Sequence, residues 1–326
     1  MGNKKTNLEE TIRKNALLLI FAAMCLVFAI FSPTFRTLTN WMNVLRQVSI
    51  NGILAVGMTM IICSAGIDLS IGPLCAMSGV VSALILEKSP DFPVLLAMLI
   101  GILASGVMSM WTAFLVANMR IAPFIATLST MSVAKGVGLV IADGMPHTIA
   151  HPLYTALGSG FVWDPKLTGN VSLPQPVLVF AIVVAVMCVV MYRTKFGKYI
   201  YASGGNENAA IAAGIHVVKV KFFAYVLNGI ICGIAGIVLA GRITSGNPTA
   251  ATGYETDAIT ATIIGGTSMT GGVGTIQGTI IGVLIIGVLN NGLVLFKVSS
   301  YYQTIIKGLI IAIAVLLDMK TKGNRS

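Results

Sequence analysis

Few side chains in this chain could do chemistry, and long apolar stretches separate them. The carboxylates of most interest fall at two predicted helix boundaries. Asp68 accompanies Ser70 in Gly66-Ile67-Asp68-Leu69-Ser70-Ile71-Gly72, and Glu255 accompanies Asp257 in Gly253-Tyr254-Glu255-Thr256-Asp257-Ala258-Ile259. An acid within a membrane costs roughly 2.5–3.5 kcal/mol on insertion scales, so it either has a task there or stands at an interface. Asp68 and Ser70 could orient a gate or form part of a polar pathway. Either could equally cap the following helix by accepting its free amides, and the two readings are compatible. Gly66 and Gly72 would permit the turn. Glu255 and Asp257 read as first-turn residues of a helix near the outer face, where the helix dipole favours negative charge. Asn51, Asn228, Gln277, Asn290 and Asn291 carry amides into apolar runs. Such groups can hydrogen-bond a neutral hydroxylated ligand at lower desolvation cost than charges, or bond helix to helix. His147 and His151 are four apart, but Pro146 and Pro152 break their segment and only Asp143 offers a third ligand. No metal site is expected there. No nucleophile elbow or His/Cys pair is present, so an enzyme is not expected and no residue is assigned a catalytic role.

The elements that must position these residues are transmembrane helices. Of 326 residues, 56% are hydrophobic and 10% charged, against roughly 25% charged in an average soluble domain. A helix needs about 20 apolar residues to cross the hydrocarbon layer. On that rule about ten spans are expected, near 16–32, 44–64, 71–86, 93–117, 121–142, 176–192, 220–241, 257–270, 276–296 and 302–318. The third and eighth are weak, and the eighth ends in glycines, as a half-helix would. The expected fold is an all-α polytopic membrane protein, a single domain over 1–326 with some helices broken or short. The first apolar run ends in Ser32-Pro33-Thr34-Phe35 without a small-residue cleavage site, so it reads as a retained span. Five cysteines, Cys25, Cys63, Cys75, Cys188 and Cys232, lie in or beside apolar runs without ligand spacing and read as small packing residues.

The net charge of +10 is distributed at the ends of apolar runs rather than in a stripe, which speaks for topology and against nucleic acid. With the N-terminus inside, thirteen Lys and Arg fall on the inner side and six on the outer, with Lys135 and Lys307 left within spans. Both termini are then cytoplasmic. The largest outer loop runs over 143–175 and the largest inner one over 193–221. Each is too short for an independent domain, so any ATP-hydrolysing machinery must be a separate polypeptide. Lys135-Gly136 and Lys307-Gly308 stand at comparable places in two halves of five spans each, an arrangement that would make the halves an inverted repeat.

Glycine is concentrated at Gly265, Gly266, Gly271, Gly272, Gly274 and Gly278. The phosphate-loop pattern is absent, and Gln277 replaces the third glycine of the dinucleotide fingerprint. A broken helix with close packing is the favoured reading. The inner loop holds a small-residue island, Gly204-Gly205-Asn206-Glu207-Asn208-Ala209-Ala210-Ile211-Ala212-Ala213-Gly214-Ile215. It is bracketed by Arg193, Lys195 and Lys198 before it and by Lys219 and Lys221 after it. Such a composition suits a short cytoplasmic helix that docks closely against another protein.

The Asp68 segment, the small-residue island, the Glu255 segment and Ile264-Gly265-Gly266-Thr267-Ser268 together resemble the permease subunits of bacterial ABC sugar importers, of the ribose/xylose/galactose/allose branch. Asn290-Asn291-Gly292-Leu293 and Ser299-Ser300-Tyr301-Tyr302-Gln303 carry the likeness to the C-terminus. The resemblance implies a bacterial cytoplasmic-membrane permease that moves a monosaccharide between two copies of itself. A binding protein would feed it, and two ATPase subunits would drive it. No cofactor is implied on this chain, ATP and Mg being held by the ATPase. The ATPase-coupling segment would be Gly205, Asn206, Glu207, Asn208, Ala209, Ala210, Ala213, Gly214 and Ile215. Ile211 and Ala212 stand where the family often has a basic residue, which shifts docking onto helix shape and Glu207. The glycine-broken segments near Asp68 and Asp257 would be the gates. A transporter driven by an ion gradient is the alternative; it would favour a free carboxylate well inside a span.

Overall fold

The computed structural model describes residues 16–163 and 172–323. The elements in order are α1 (Ala16–Phe31), α2 (Leu38–Cys63), α3 (Ile71–Lys88), α4 (Val94–Ala113) extended by a π-helical turn (Phe114–Asn118), and α5 (Pro123–Ile141). There follow β1 (His147–Thr148), α6 (Pro152–Ser159), α7 (Gln175–Arg193), α8 (Lys195–Gly205), α9 (Glu207–Ala212) and α10 (Val217–Ile243). The chain ends with β2 (Ser245–Gly246), α11 (Tyr254–Ile264), α12 (Ile276–Leu295) and α13 (Ser300–Gly323).

Every expected span has a helix at its place, but the count of full-length spans is lower than the ten expected. Among the described residues seven helices are long and apolar enough to cross a membrane: α2, α3, α4 with its π turn, α5, α7, α10 and α12. The eighth expected span is the 11-residue α11. Glycines at both ends make it short. Gly253 precedes it at φ +86° and Gly266 follows at φ +87°, left-handed conformations that end a helix without the Cβ penalty. The protein is an all-α polytopic membrane protein, with one two-residue antiparallel ribbon in which His147 pairs with Gly246 and Thr148 with Ser245.

Two helices form the axis of the bundle. Of the apolar window of α2, 83% is buried, against 22% for α7, so α2 is central and α7 peripheral. Its partner is α10, on which Gly229, Gly233 and Gly236 let neighbouring backbones close in. Hydroxyls of α3 and α4 donate across that face: Ser78 to the Gly233 carbonyl (2.9 Å), Ser105 to Gly229 (2.7 Å) and Ser109 to Tyr225 (2.6 Å). This small-residue contact is how membrane helices associate when lipid supplies no hydrophobic drive. The packing also has an internal regularity. Helix α10 packs on α3 and α4, and α2 packs on α11 and α12. Likewise α3 packs on α4 and α5, and α11 on α12 and α13.

The expected outer loop contains β1, which pairs with β2 from beyond α10, and α6. Arg46 of α2 reaches it, donating to the Ser159 carbonyl at 3.0 Å and lying 4.8 Å over the Phe161 ring. His147 and His151 diverge, His147 to Glu87 at 2.8 Å and His151 to the Leu153 amide at 3.3 Å. Asn170-Val171-Ser172 fits the N-x-[ST] acceptor pattern, but Asn170 and Val171 lie outside the described residues.

Candidate functional site

Among the described residues three buried carboxylates, Asp68, Asp257 and Glu255, each anchor a polar cluster at a helix start inside the protein. The first is built on the turn between α2 and α3. Asp68 is fully buried. Its Oδ1 accepts the Ser70 amide at 2.9 Å and the Ser70 hydroxyl at 2.5 Å, and its Oδ2 accepts the Asn228 amide of α10 at 2.8 Å. The Tyr225 hydroxyl donates to the adjacent Ile67 carbonyl at 3.1 Å. Ser70 is the N-cap of α3, but its side chain accepts nothing from the helix. Asp68 therefore organises the turn before the helix and ties it to α10.

The second cluster joins α11, α12 and α13. Asp257 accepts from the Asn290 amide at 3.2 Å and pairs with Lys307, whose ammonium lies 2.9 and 3.0 Å from the two carboxylate oxygens. The third lies where the N-termini of α3 and α11 meet. Glu255 is 9% exposed, and its Oε2 has no hydrogen-bond partner among the described residues. A Cβ on Gly72 would stand 2.5 Å from that oxygen, so only glycine lets the two helix starts abut. Lys135 of α5 lines the same small cleft as Gly72 and Glu255. Glu255 and Asp257 are first-turn residues of α11, as expected, and both are buried in the bundle.

The remaining amides separate. Asn291 exchanges two hydrogen bonds with Asn40 of α2, at 3.0 and 2.9 Å, and so acts between helices. Asn51 is buried on α2 with its Oδ1 unpartnered among the described residues. The Gln277 side chain accepts the Tyr192 hydroxyl at 2.9 Å.

At another surface the small-residue island folds into α9, as its sequence dictates. The Asn206 side chain accepts the Ala209 amide at 3.0 Å as N-cap. At the far end Gly214, at φ +82°, turns the chain while Gly214 N–H donates to Ile211 (2.9 Å) and Ile215 N–H to Ala210 (3.0 Å). That pair of bonds is the glycine-terminated ending of a helix. Ala210 faces inward, whereas Glu207, Asn208, Ala209, Ile211, Ala212 and Ala213 are exposed, Ile211 at 54%. Glu207 holds Lys221 at 2.7 Å and is thus engaged within the chain.

A backbone junction connects this knob to the bundle. A Cβ on Gly204 would stand 1.9 Å from the Cys63 carbonyl oxygen, at the end of α2. The same carbonyl accepts the Gly272 amide at 3.0 Å, from the turn between α11 and α12. Gly272 has φ +73° and Gly271 +83°, and they run alongside Gly204 and Gly205. Two tyrosines bolt the junction. Tyr201 of α8 donates to the Gly274 carbonyl at 3.0 Å, and the Tyr192 hydroxyl accepts the Ile276 amide at 2.7 Å. Burial, with Cys63 and Tyr192 nearby, pushes the Tyr201 hydroxyl above its usual range, so it stays a donor. Gly66 stands beneath the Tyr225 hydroxyl, Gly265 packs on Gly278, and Gly274 on Thr267.

Lys307, Lys135, Tyr192 and Tyr201 were not singled out as site residues from sequence. The two lysines carried a signal, since a cation within a span requires a partner. The tyrosines carried none.

A sequence profile of the family described as "Branched-chain amino acid transport system / permease component" matches residues 40–315. The ribose import permease protein RbsC of Bacillus subtilis is 42% identical over 97% of this chain and 96% of its own length. RbsC of Escherichia coli is 42% identical over 94% of this chain and 92% of its own length. The L-arabinose transport system permease protein AraH of Escherichia coli is 34% identical over 95% and 92%. No solved structure matches the chain.

Proposed function

The chain belongs to the family of branched-chain amino acid transport system / permease components, and on that premise we propose that it moves a monosaccharide across the bacterial cytoplasmic membrane as the permease subunit of an ATP-driven importer. The observation that carries this is the 42% identity, nearly end to end, with a ribose import permease. The family's description names amino acids and the relatives' names are of pentose systems. Identity along the whole chain is the narrower guide, so ribose is the first substrate to test. The subunit makes and breaks no covalent bond.

In this reading 1–326 is one transmembrane unit with ten membrane segments, α1 and α13 at its ends and α11 as a half-length one. Helices α2 to α5 and α10 to α13 form two halves related by exchange. Four packing pairs are kept when α2 and α10, α3 and α11, α4 and α12, and α5 and α13 trade places. The pair α3–α10 becomes α11–α2, α4–α10 becomes α12–α2, α3–α4 becomes α11–α12 and α3–α5 becomes α11–α13, whereas α4–α5 has no α12–α13 counterpart of like extent. Five segments per half make the repeat inverted. Both termini and 193–221 face the cytoplasm, and 143–175 faces outward.

Helix α9 docks the ATPase through its exposed alanines and Ile211. The Gly204–Cys63–Gly272 junction then passes its displacement to the end of α2 and to the α11–α12 turn at once. ATP shifts the inward and outward states only as far as it binds one of them better. The Asp68–Ser70–Asn228, Asp257–Asn290 and Glu255 clusters sit on the elements that rearrange, as does Asn51, buried on α2. Two ATPase copies, a second permease copy and a binding protein complete the assembly. The alternative, an ion-gradient transporter, needs a free interior carboxylate. Asp257 is paired with Lys307 and Asp68 is hydrogen-bonded on both oxygens, which leaves Glu255, buried with Oε2 unpartnered among the described residues, as the carboxylate such a transporter would use.

The test is uptake of labelled ribose by cells with and without this chain. Accumulation that needs the chain, stops when ATP is depleted and survives an uncoupler supports the proposal. Accumulation that persists without ATP and collapses with the uncoupler contradicts it.

A further inference from the structure

A cleft of about 600 Å³ opens between α9, the start of α10 and the turn joining the π-helical end of α4 to α5. Its walls are apolar, formed by Val116, Ile121, Ile211 and Val217, and its polar lining holds three cations and one acid beside Asn118 and His216. Arg120, Lys219 and Lys221 all line it, and Glu207 is the one acid that does. Glu207 is consumed by Lys221, 2.7 Å away. Neither the Arg120 nor the Lys219 side chain has a hydrogen bond or ion pair among the described residues. Arg120 is moreover held at φ +56°, a backbone conformation that a residue with a Cβ adopts only where the surroundings impose it.

We propose that this cleft binds the headgroup of an anionic phospholipid, with Arg120 and Lys219 contacting the phosphate. Two uncompensated cations over apolar walls match a ligand that is anionic at one end and hydrocarbon at the other. The cleft also continues onto exposed apolar surface at Met119, Val218 and Phe223, the kind of surface a lipid tail covers. Basic pockets between helices at the cytoplasmic side of a membrane are where such headgroups are held. The alternative occupant, an acidic segment of an ATPase subunit, would leave the apolar continuation onto the bilayer face unused. A lipid in this cleft braces α9 from behind, because Ile211 is both part of the cleft wall and part of the exposed face of α9. The inference places the lipid at the cytoplasmic leaflet through the proposed topology, but binding itself is read on the purified chain without any transport.

The experiment titrates the full chain, purified in an uncharged detergent, with phosphatidylglycerol, phosphatidylcholine or inorganic phosphate. Bound lipid is read by native mass spectrometry and the unfolding midpoint is followed in parallel. Phosphatidylglycerol is expected to bind saturably and raise the midpoint, with phosphatidylcholine and phosphate without effect. At about 1 kcal/mol per cation near the headgroup, R120Q/K219Q should bind roughly thirtyfold more weakly. R120K should keep the binding, and so should the charge-matched control K195Q/K198Q at two exposed lysines of α8. Equal binding of the two lipids, retention in R120Q/K219Q, or an equal loss in the control overturns the proposal. Phosphate alone reproducing the shift assigns the cleft to a free anion and also overturns it. An ATPase subunit lost from R120Q/K219Q while lipid binding persists assigns the cleft to that partner instead.

Discussion

The ammonium of Lys307 on α13 lies 2.9 Å from a carboxylate oxygen of Asp257 on α11, with Asp257 almost fully buried. A half-length helix is thereby held to the last helix by a charge pair inside the bundle. Removing one member of such a pair leaves an uncompensated charge and typically costs about 3–5 kcal/mol, whereas removing both costs far less. Lys307→Met and Asp257→Asn should each lower the unfolding midpoint in detergent, and the double variant should lose clearly less than the two single losses together. Strict additivity would show that the pair is not formed in the membrane-embedded protein.

Asp68 accepts three hydrogen bonds, from two groups of Ser70 and from Asn228. Asp68→Asn would set an amide donor against the Asn228 donor, an unmet buried interaction worth about 1–3 kcal/mol. Reduced ribose uptake with the ATPase still bound is expected. The exchanged variant D68N/N228D restores one acceptor facing one donor, and it should recover part of the midpoint that D68N loses. No recovery in the exchange would place the role of Asp68 in the turn alone.

Gly204 and Gly205 are adjacent but differ sharply in surroundings. A Cβ on Gly204 meets the Cys63 carbonyl oxygen at 1.9 Å, and one on Gly205 finds its nearest neighbour at 3.8 Å. Gly204→Ala must push α8 away from α2, at a cost of roughly 1–3 kcal/mol, and should uncouple ATP hydrolysis from uptake. Gly205→Ala should leave both uptake and stability unchanged. Equal behaviour of the two variants in a coupled ATPase and uptake assay would contradict the junction as the transmitting contact.

Much of this arrangement was legible in local sequence, because the features concerned are local. The capping Asn206, the terminating Gly214 and the small residues between them specify α9 without tertiary help. Glycines at 253 and 265–266 likewise specify a short α11. Features formed across the chain were not legible. Nothing local joins Lys307 to Asp257, or Tyr201 to Gly274. The burial of Glu255 escaped first-turn reasoning because that reasoning does not show what packs against a helix start. Ala210 illustrates the same limit. It belongs to the docking segment by sequence, yet its side chain faces the protein, so a replacement there tests packing rather than docking. The glycines of α10 at 229, 233 and 236 show how closely backbones approach, which composition alone did not reveal.

The central claim, that α9 is the surface through which a separate ATPase drives this permease, is tested most directly by purifying the chain from its native membrane in mild detergent and quantifying what accompanies it. Ile211 is the exposed large apolar residue of α9, so wild type is compared with Ile211→Asp. The account predicts an ATPase in about one-to-one ratio with the wild-type chain, by the pairing that the proposed assembly requires. It predicts loss of that ATPase from Ile211→Asp, with the variant still inserted and eluting as wild type does. A wild-type chain recovered without an ATPase across several detergents, or an Ile211→Asp variant that retains its ATPase, would contradict it.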